Sequence, residues 1–338
     1  RETEKQTGLP YREAQRRLLG ETHFSSAIQR WTPHLWDEIC GIAEGAAQAV
    51  DDILALNLTD EQWWFFAAKK AEACTSFAFR DDRDAVWSGQ NLDITGWMDG
   101  LQVILRYAQP EVGGGTALVA TLAGTIGMTG INSRGLSICC NTLLQLPPRD
   151  DGLPALCVIR GFLDEPDLVH GEGFLRRIAH ASGLHYLVAD PGGWLGLECD
   201  ADGVRRIASA AGAYCHTNHP KRTPEVASSS SADRLLAMET ALRDHMRSAA
   251  RDMAIVQAVV QLAHALLQAI RKLKIGQLSG EDAIVALEKI QAGFKRALDH
   301  IEIAKLLLLP HVAHGGTAEK QTQKEGLDRR PQADRRRL

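Results

Sequence analysis

Between Cys74 and about Pro220, short apolar runs alternate with turn residues, and this texture constrains the fold more than any other feature of the chain. Runs of this length, separated by glycine, proline and aspartate, are typical of β-strands. Helical spacing returns between Ala155 and Ala181. Strands, then helix, then further strands predict a layered α+β fold. The predicted strands are Thr75–Phe79, Leu101–Tyr107, Ala117–Leu122, Gly135–Asn141, His185–Ala189 and Leu195–Cys199.

The first 72 residues carry the helical period instead. A helix that begins at Pro33 places four apolar side chains on one face, namely Leu35, Ile39, Ile42 and Ala46. The stretch Asp51–Asn57 predicts a short capped helix. The aromatic run Trp63–Phe66 is interpreted as core packing rather than as the wall of a substrate site.

The C-terminal part is also compatible with helices and predicts a helical hairpin over residues 246–310. Apolar residues recur at helical spacing from Met253 to Ile270 and again from Ile284 to Ile301. A capping pattern, Ser279-Gly280-Glu281-Asp282, opens the second stretch. Residues 311–338 are polar, end in a run of arginines and predict a disordered tail.

Composition narrows the class of protein. Of the 338 residues, 45% are hydrophobic and 24% are charged, and the formal net charge is -4. These values are typical of a soluble globular protein and do not provide the basic field of a nucleic-acid-binding protein. No apolar run reaches the roughly 20 residues that span a bilayer, and the start of the chain is too polar for a signal peptide. We therefore expect a cytoplasmic protein without nucleic-acid or membrane partners.

The seven cysteines form no CxxC unit, so neither a zinc site nor a disulfide framework is indicated. His216 and His219 are three residues apart with no third ligand nearby, and we expect no metal and no cofactor. Six of the thiols are interpreted as small buried hydrophobes, namely Cys40, Cys139, Cys140, Cys157, Cys199 and Cys215.

Cys74 is different because a small residue, Ala73, precedes it and a hydroxyl residue, Thr75, follows it. A small preceding residue lets the thiol approach the carbonyl of Ala73, which predicts self-cleavage between Ala73 and Cys74 through a thioester. The freed α-amine, with an unperturbed pKa of roughly 8, then serves as the base for its own thiol. This is the chemistry of an N-terminal nucleophile. The alternative is a buried structural thiol.

Three further residues fit this chemistry. The segments Cys74–Phe79 and Val86–Asp93 predict a hairpin, which returns Asp93 to the amine of Cys74 and lets it orient that group. Asn141 and Asn218 each follow an apolar run and are candidate neutral donors for an oxyanion. Each of the three also has a plainer interpretation as a turn or strand-end residue.

Several motifs in order resemble the acyl-coenzyme A:isopenicillin N acyltransferase family of cysteine-type N-terminal nucleophile hydrolases, from about residue 10 to about residue 245. The similar pieces are Cys74-Thr75-Ser76, Gly89-Gln90-Asn91-Leu92-Asp93, Gly130-Ile131-Asn132-Ser133-Arg134-Gly135-Leu136, Cys140-Asn141-Thr142-Leu143 and His216-Thr217-Asn218-His219. The resemblance implies a four-layer αββα sandwich. It also implies self-cleavage into a helical α chain, residues 1–73, and a β chain with its catalytic region at residues 74–245.

Carried over to this sequence, the resemblance implies that Cys74 is the nucleophile, that Asp93 orients its amine and that Asn218 helps to form the oxyanion hole. Arg234 would steady the nucleophile or a substrate carboxylate. The chain departs from the family at Ala73, where the best-known member has glycine, and at residues 246–310, where a helical pattern stands and the family's further strands have no match. This region is an insertion, a replacement or the result of a shifted reading frame. The C-terminal region is therefore expected to be atypical.

These observations predict a self-processing amidohydrolase or acyltransferase that forms a Cys74 acyl-enzyme at amide or thioester bonds. The expected substrate is a small acyl amide or an acyl-CoA, and the donor stays open among acyl-CoA, N-acyl amino acid and small peptide. The expected assembly is an α/β heterodimer from one precursor, with a homo-oligomer left open. The alternative is a catalytically inactive homologue that acts as a helical dimerisation or partner-binding protein.

Overall fold

A computed structural model describes residues 4, 7–67, 73–81, 84–93, 96–109, 115–209, 212–223, 228 and 230–242. All of these residues belong to the compact unit Arg1–Met246. The predicted helical hairpin at 246–310 and the predicted tail at 311–338 lie outside the described residues.

Among the described residues, five helices precede Cys74, as the helical period predicts: α1 (Tyr11–Glu21), α2 (Phe24–Trp31), α3 (Pro33–Gly45), α4 (Val50–Leu56) and α5 (Thr59–Phe65). Helix α3 buries Leu35, Ile39 and Ala43 on one face. Of the predicted face, Leu35 and Ile39 are confirmed, whereas Ile42 is half-buried and Ala46 is exposed at the end of the helix. Helix α4 starts with Ala49 at its cap and has no side-chain cap bond, so the predicted capping is wrong there.

In the described part of the chain, ten strands form two antiparallel sheets. The small sheet has the order β10-β1-β2, and the large sheet runs from β3 to β9 in chain order. The strands are β1 (Ala73–Arg80), β2 (Val86–Asp93), β3 (Gln102–Gln109), β4 (Gly115–Leu122), β5 (Thr129–Asn132), β6 (Ser137–Thr142), β7 (Leu184–Asp190), β8 (Gly193–Asp200), β9 (Gly203–Ile207) and β10 (Ala213–His216).

The layers are stacked helix on sheet on sheet. Helices α6 (Ala155–Leu163) and α7 (Leu168–Arg177) pack on β5–β7 of the large sheet, while β1 and β2 contact β6 and β7. One apolar core joins the N-terminal helices, α6 and the large sheet, with Ile28, Phe162 and Tyr186 among its fully buried members. A last described helix, α8, spans residues 230–242. The predicted α+β class with stacked antiparallel sheets is confirmed.

The predicted hairpin around Cys74 is also confirmed. Strands β1 and β2 pair in antiparallel register, with Cys74 opposite Leu92 and Ala73 opposite Asp93. Because side chains alternate along a strand, Cys74 lies on one face of the small sheet and Thr75 on the other.

Candidate active site

The Cys74 side chain is buried, with 2% of its surface exposed, on the face of β1 that it shares with Ser76. Ser76 contacts Asn141 of strand β6, so this face looks toward the large sheet. The thiol is therefore held between the two sheets near the N-terminal end of β1.

Asn218 lies against the peptide bond where cleavage is predicted. The N–H of Cys74 donates to Oδ1 of Asn218 at 2.7 Å, and Nδ2 of Asn218 donates to the carbonyl of Thr142 at 3.1 Å. These two contacts fix the orientation of the amide, since its oxygen faces a donor and its nitrogen faces an acceptor. Asn218 thus accepts a hydrogen bond from the nitrogen that would become the new terminus.

Arg234, on helix α8, reaches the same point from 160 residues further along the chain. Its Nη1 donates to the Cys74 carbonyl at 2.6 Å and to Oγ1 of Thr75 at 2.9 Å. Its Nη2 donates to Oδ1 of Asn218 at 3.0 Å. The planar guanidinium therefore clamps both the main chain after Cys74 and the amide that holds its nitrogen.

Ser231, one turn before Arg234 on α8, was not anticipated from the sequence. Its Oγ accepts the N–H of Asn218 at 2.9 Å, and it lies 2.8 Å from Nδ1 of His219 and 3.0 Å from Oγ1 of Thr217. Ser231 is almost fully buried. We call Cys74, Asn218, Ser231 and Arg234 the Cys74 cluster.

A cleft that is open to solvent lies beside Cys74, which lines it. Most of the other lining side chains are apolar, and the lining comes from helices α5 and α6, strands β2, β4 and β6 and the intervening loops. Trp63 is among them and is 4% exposed. Of the aromatic run, only Trp63 is buried, while Phe65 and Phe66 are half-buried against the core, so the expected core packing is confirmed in part. Trp63 also forms a wall of the cleft, a role that the sequence interpretation did not assign to it.

The structure does not bring Asp93 and Asn141 to Cys74 in the same way as Asn218. Asp93 is exposed and lies in register opposite Ala73, next to the predicted cleavage point. Asn141 is fully buried between the sheets. Its Oδ1 accepts from Ser76 Oγ at 2.6 Å, and its Nδ2 points to the carbonyl of His216 at 3.5 Å. Asn141 thus supports β1 two residues beyond the nucleophile.

The contacts of Asn141 extend into a second polar group that sequence reasoning missed. His185 donates from Nδ1 to Oδ1 of Asn141 at 2.9 Å, and the hydroxyl of Tyr214 donates to its Nε2 at 2.9 Å. Burial lowers the pKa of His185 well below its ordinary value, which agrees with a neutral ring in this arrangement. We call Ser76, Asn141, His185 and Tyr214 the Asn141 cluster.

The side-chain oxygen Oδ1 of Asn141 accepts hydrogen bonds from both Ser76 and His185. Because this oxygen carries no proton, the cluster cannot conduct a proton along its length. Glycine is required beside it, because a side chain at Gly196 would collide with the ring of Tyr214. These features make the Asn141 cluster a positioning element for β1.

His216 stacks on the ring of His185 with 3.7 Å between the ring centroids and lies 3.1 Å from a carboxylate oxygen of the fully buried Glu198. Its Nδ1 donates to the carbonyl of Thr217 at 2.7 Å, so a single proton lies between Nε2 and Glu198. Burial lowers the pKa of His216, although the hydrogen bond to Glu198 acts in the opposite direction.

Within the described part of the chain, no group of three or more histidine, cysteine, aspartate or glutamate side chains is arranged to bind a metal ion. None of the helices in the described ranges has the length and apolar character needed to cross a bilayer.

Comparison with known proteins identifies the relatives of this arrangement. The sequence profile of the acyl-coenzyme A:6-aminopenicillanic acid acyl-transferase family matches residues 80–262, which begin after Cys74 and cover more than half of the chain. The acyl-coenzyme A:6-aminopenicillanic-acid-acyltransferase 40 kDa form of Emericella nidulans is 31% identical over 194 residues. The match covers 56% of this chain and 53% of that protein, so the chain spans about half the length of its curated relative.

Two solved structures are similar at lower levels. A variant of conjugated bile acid hydrolase from Clostridium perfringens has 16% identity and a TM-score of 0.34, over 44% of this chain and 54% of that one. Penicillin V acylase from Agrobacterium tumefaciens has 18% identity and a TM-score of 0.32, over 50% of this chain and 57% of that one.

Proposed function

Because the chain belongs to the acyl-coenzyme A:6-aminopenicillanic acid acyl-transferase family, we propose that it is an enzyme of acyl transfer or amide hydrolysis that uses Cys74 as an N-terminal nucleophile. The observation that carries this proposal is the 2.7 Å hydrogen bond from the Cys74 nitrogen to Oδ1 of Asn218, beside a cleft that Cys74 itself lines. An oxygen that accepts an amide N–H can equally accept from the amine that cleavage produces.

Maturation proceeds in two steps under this proposal. The thiol of Cys74 attacks the carbonyl of Ala73, the C–N bond between Ala73 and Cys74 breaks, and the thiol proton passes to the nitrogen. Ala73 is then held as a thioester on sulfur. Water hydrolyses the thioester, which releases the carboxylate of Ala73 and leaves Cys74 with a free amine and a free thiol.

In turnover, the new amine, with an ordinary pKa of roughly 8, takes the thiol proton as the sulfur attacks an acyl carbonyl. The acyl group forms a thioester with Cys74, and the leaving amine or thiol carries the proton away. Water or an acceptor amine then resolves the acyl-enzyme. The apolar lining of the cleft favours an apolar acyl group, from either an acyl amide or an acyl-CoA.

The other predicted residues take positioning roles in this proposal. Asn218 holds the main-chain nitrogen of Cys74, and Arg234 holds its main-chain carbonyl. Asp93, opposite Ala73, is adjacent to the amine once Ala73 is released. Cleavage divides the molecule into an α chain that holds helices α1–α5 and a β chain that begins at Cys74.

The test is acylation of purified protein by a straight-chain acyl thioester, followed by mass spectrometry of the separated chains. We expect one acyl adduct on the chain that begins with Cys74, removable by hydroxylamine. Cys140→Ser is the matched control because Cys140 lines the same cleft, and this variant keeps the adduct. Loss of the adduct in Cys140→Ser but not in Cys74→Ala would contradict the assignment. The inactive-homologue alternative predicts no adduct at all.

A further inference from the structure

One wall of the cleft comes from the segment that precedes the predicted cut. Helix α5 contributes Thr59, Asp60 and Trp63 to the lining, whereas Leu92, Leu156 and Ile159 come from the part that follows Cys74. The lining of the cleft therefore combines residues from both sides of the predicted cut.

Helix α5 is fastened to the opposite wall by a buried carboxylate. Oε1 of Glu61 accepts the N–H of Ala155 at 2.9 Å and the hydroxyl of Ser182 at 2.7 Å, and the side chain is 2% exposed. Ala155 is the first residue of α6, which also supplies Leu156 to the cleft. The bond therefore ties α5 to the start of the helix that faces it across the cleft.

A second buried anchor lies just before α5. Asn57 is fully buried, its Nδ2 donates to the carbonyl of Gly124 at 3.1 Å and its Oδ1 accepts the N–H of Ile126 at 2.9 Å. The residue between these two partners, Thr125, lines the cleft. Asn57 and Glu61, which both precede Trp63 along the chain, thus anchor this segment to the walls of the cleft through buried hydrogen bonds.

We propose that Trp63, on helix α5, sets the largest acyl group that Cys74 accepts. This inference rests on the function proposed above. A buried tryptophan held by the anchors of its own helix cannot yield to a longer chain without disturbing close-packed neighbours. In an apolar pocket each added or missing methylene changes specificity by roughly 10-fold or more. The ligand class is a compact apolar acyl group.

The experiment measures kcat/KM for a homologous series of straight-chain acyl thioesters with the mature full-length protein and with three variants. Trp63→Ala enlarges the cleft, and Trp63→Phe enlarges it less. Trp64→Ala is the matched control, because Trp64 is on the same helix and instead donates from Nε1 to the Leu146 carbonyl at 3.1 Å. The ratio of long-chain to short-chain kcat/KM cancels any general loss of folded enzyme.

We expect Trp63→Ala to raise the long-to-short ratio by about 10-fold, with Trp63→Phe moving it less in the same direction. Trp64→Ala leaves the ratio unchanged. If Trp63→Ala does not fold, Trp63→Phe carries the test. An unchanged ratio in the folded Trp63 variants, with Cys74 acylated, would overturn this inference alone. Failure of every thioester to acylate Cys74 in the unmodified enzyme would overturn the proposed function as well.

Discussion

The Cys74 cluster and the Asn141 cluster hold the same strand, β1, at positions two residues apart. They differ in the charge of their side chains and in the part of the strand that they contact. The Cys74 cluster contains a guanidinium, and its hydrogen bonds end on the main chain at the predicted cut. The Asn141 cluster is buried and holds Ser76 through neutral groups only. We infer from this difference that the Asn141 cluster fixes the strand, whereas the Cys74 cluster acts in the proposed cleavage.

The largest expected difference between the two clusters comes from Asn218→Ala, a substitution in the Cys74 cluster. Loss of one preorganised hydrogen-bonding group at a reacting centre costs roughly 100-fold or more, and we expect self-cleavage to slow by at least that factor. The measurement is the fraction of intact precursor over time. Gln145→Ala is the matched control, since its exposed side chain bonds only the Asn218 carbonyl at 3.3 Å. Wild-type cleavage in Asn218→Ala would remove this residue from the mechanism.

Asn141→Leu tests the other side of the comparison. The substitution leaves Ser76 and His185 without their buried partner, and we expect the free energy of unfolding to fall by about 3 kcal/mol. Urea denaturation measures this loss. The folded fraction should still cleave at close to the wild-type rate. A folded Asn141→Leu protein that does not cleave would instead support the sequence-based prediction of Asn141 as an oxyanion donor.

The pH dependence of stability follows from the same cluster. Burial, then His216 and Lys221, lower the pKa of His185 below the ordinary value near 6.5. Below that pH the ring binds a proton in the unfolded chain but not in the folded protein. The free energy of unfolding, which is highest above about pH 6.5, therefore decreases as the pH falls. We expect lower urea midpoints at about pH 5.5 than at about pH 7.5. His185→Gln should flatten this difference, and an equal slope in the variant would contradict the neutral-ring assignment.

Ser231→Ala gives the smallest expected effect. Its hydroxyl acts on Cys74 only through Asn218, so removing one hydrogen bond worth about 1 kcal/mol should slow cleavage by roughly 5-fold. Ser228→Ala is the control, because Ser228 accepts the Ser231 N–H at 3.2 Å near the start of α8 and so contacts the main chain of Ser231 rather than its hydroxyl. Equal rates of self-cleavage in the two variants would show that the Ser231 hydroxyl has no role in positioning Asn218.

The sequence predicted the elements whose signal is local. The hairpin of β1 and β2, the helices at Ala155 and after, and the face of α3 are each encoded by neighbouring residues with a clear period. Two strands lacked such a signal. Strand β5 has only four residues, and β9 carries Arg205 and Arg206 where a run of apolar residues would be expected.

Site residues were predictable only where a local sequence motif identifies them. Cys74 and Asn218 stand out because each lies in a distinctive motif, and they are in contact. Ser231 and Tyr214 could not be recognised, since their roles arise from the pairing of β10 with β1 and from the docking of α8. Such contacts depend on tertiary packing between segments that are far apart in sequence.

The central claim is that Cys74 becomes an N-terminus, and intact-mass analysis of the purified full-length chain tests it most directly. We predict two fragments that separate between Ala73 and Cys74, while Cys74→Ala remains a single chain. A wild-type chain that stays whole under conditions where it is folded would contradict the account.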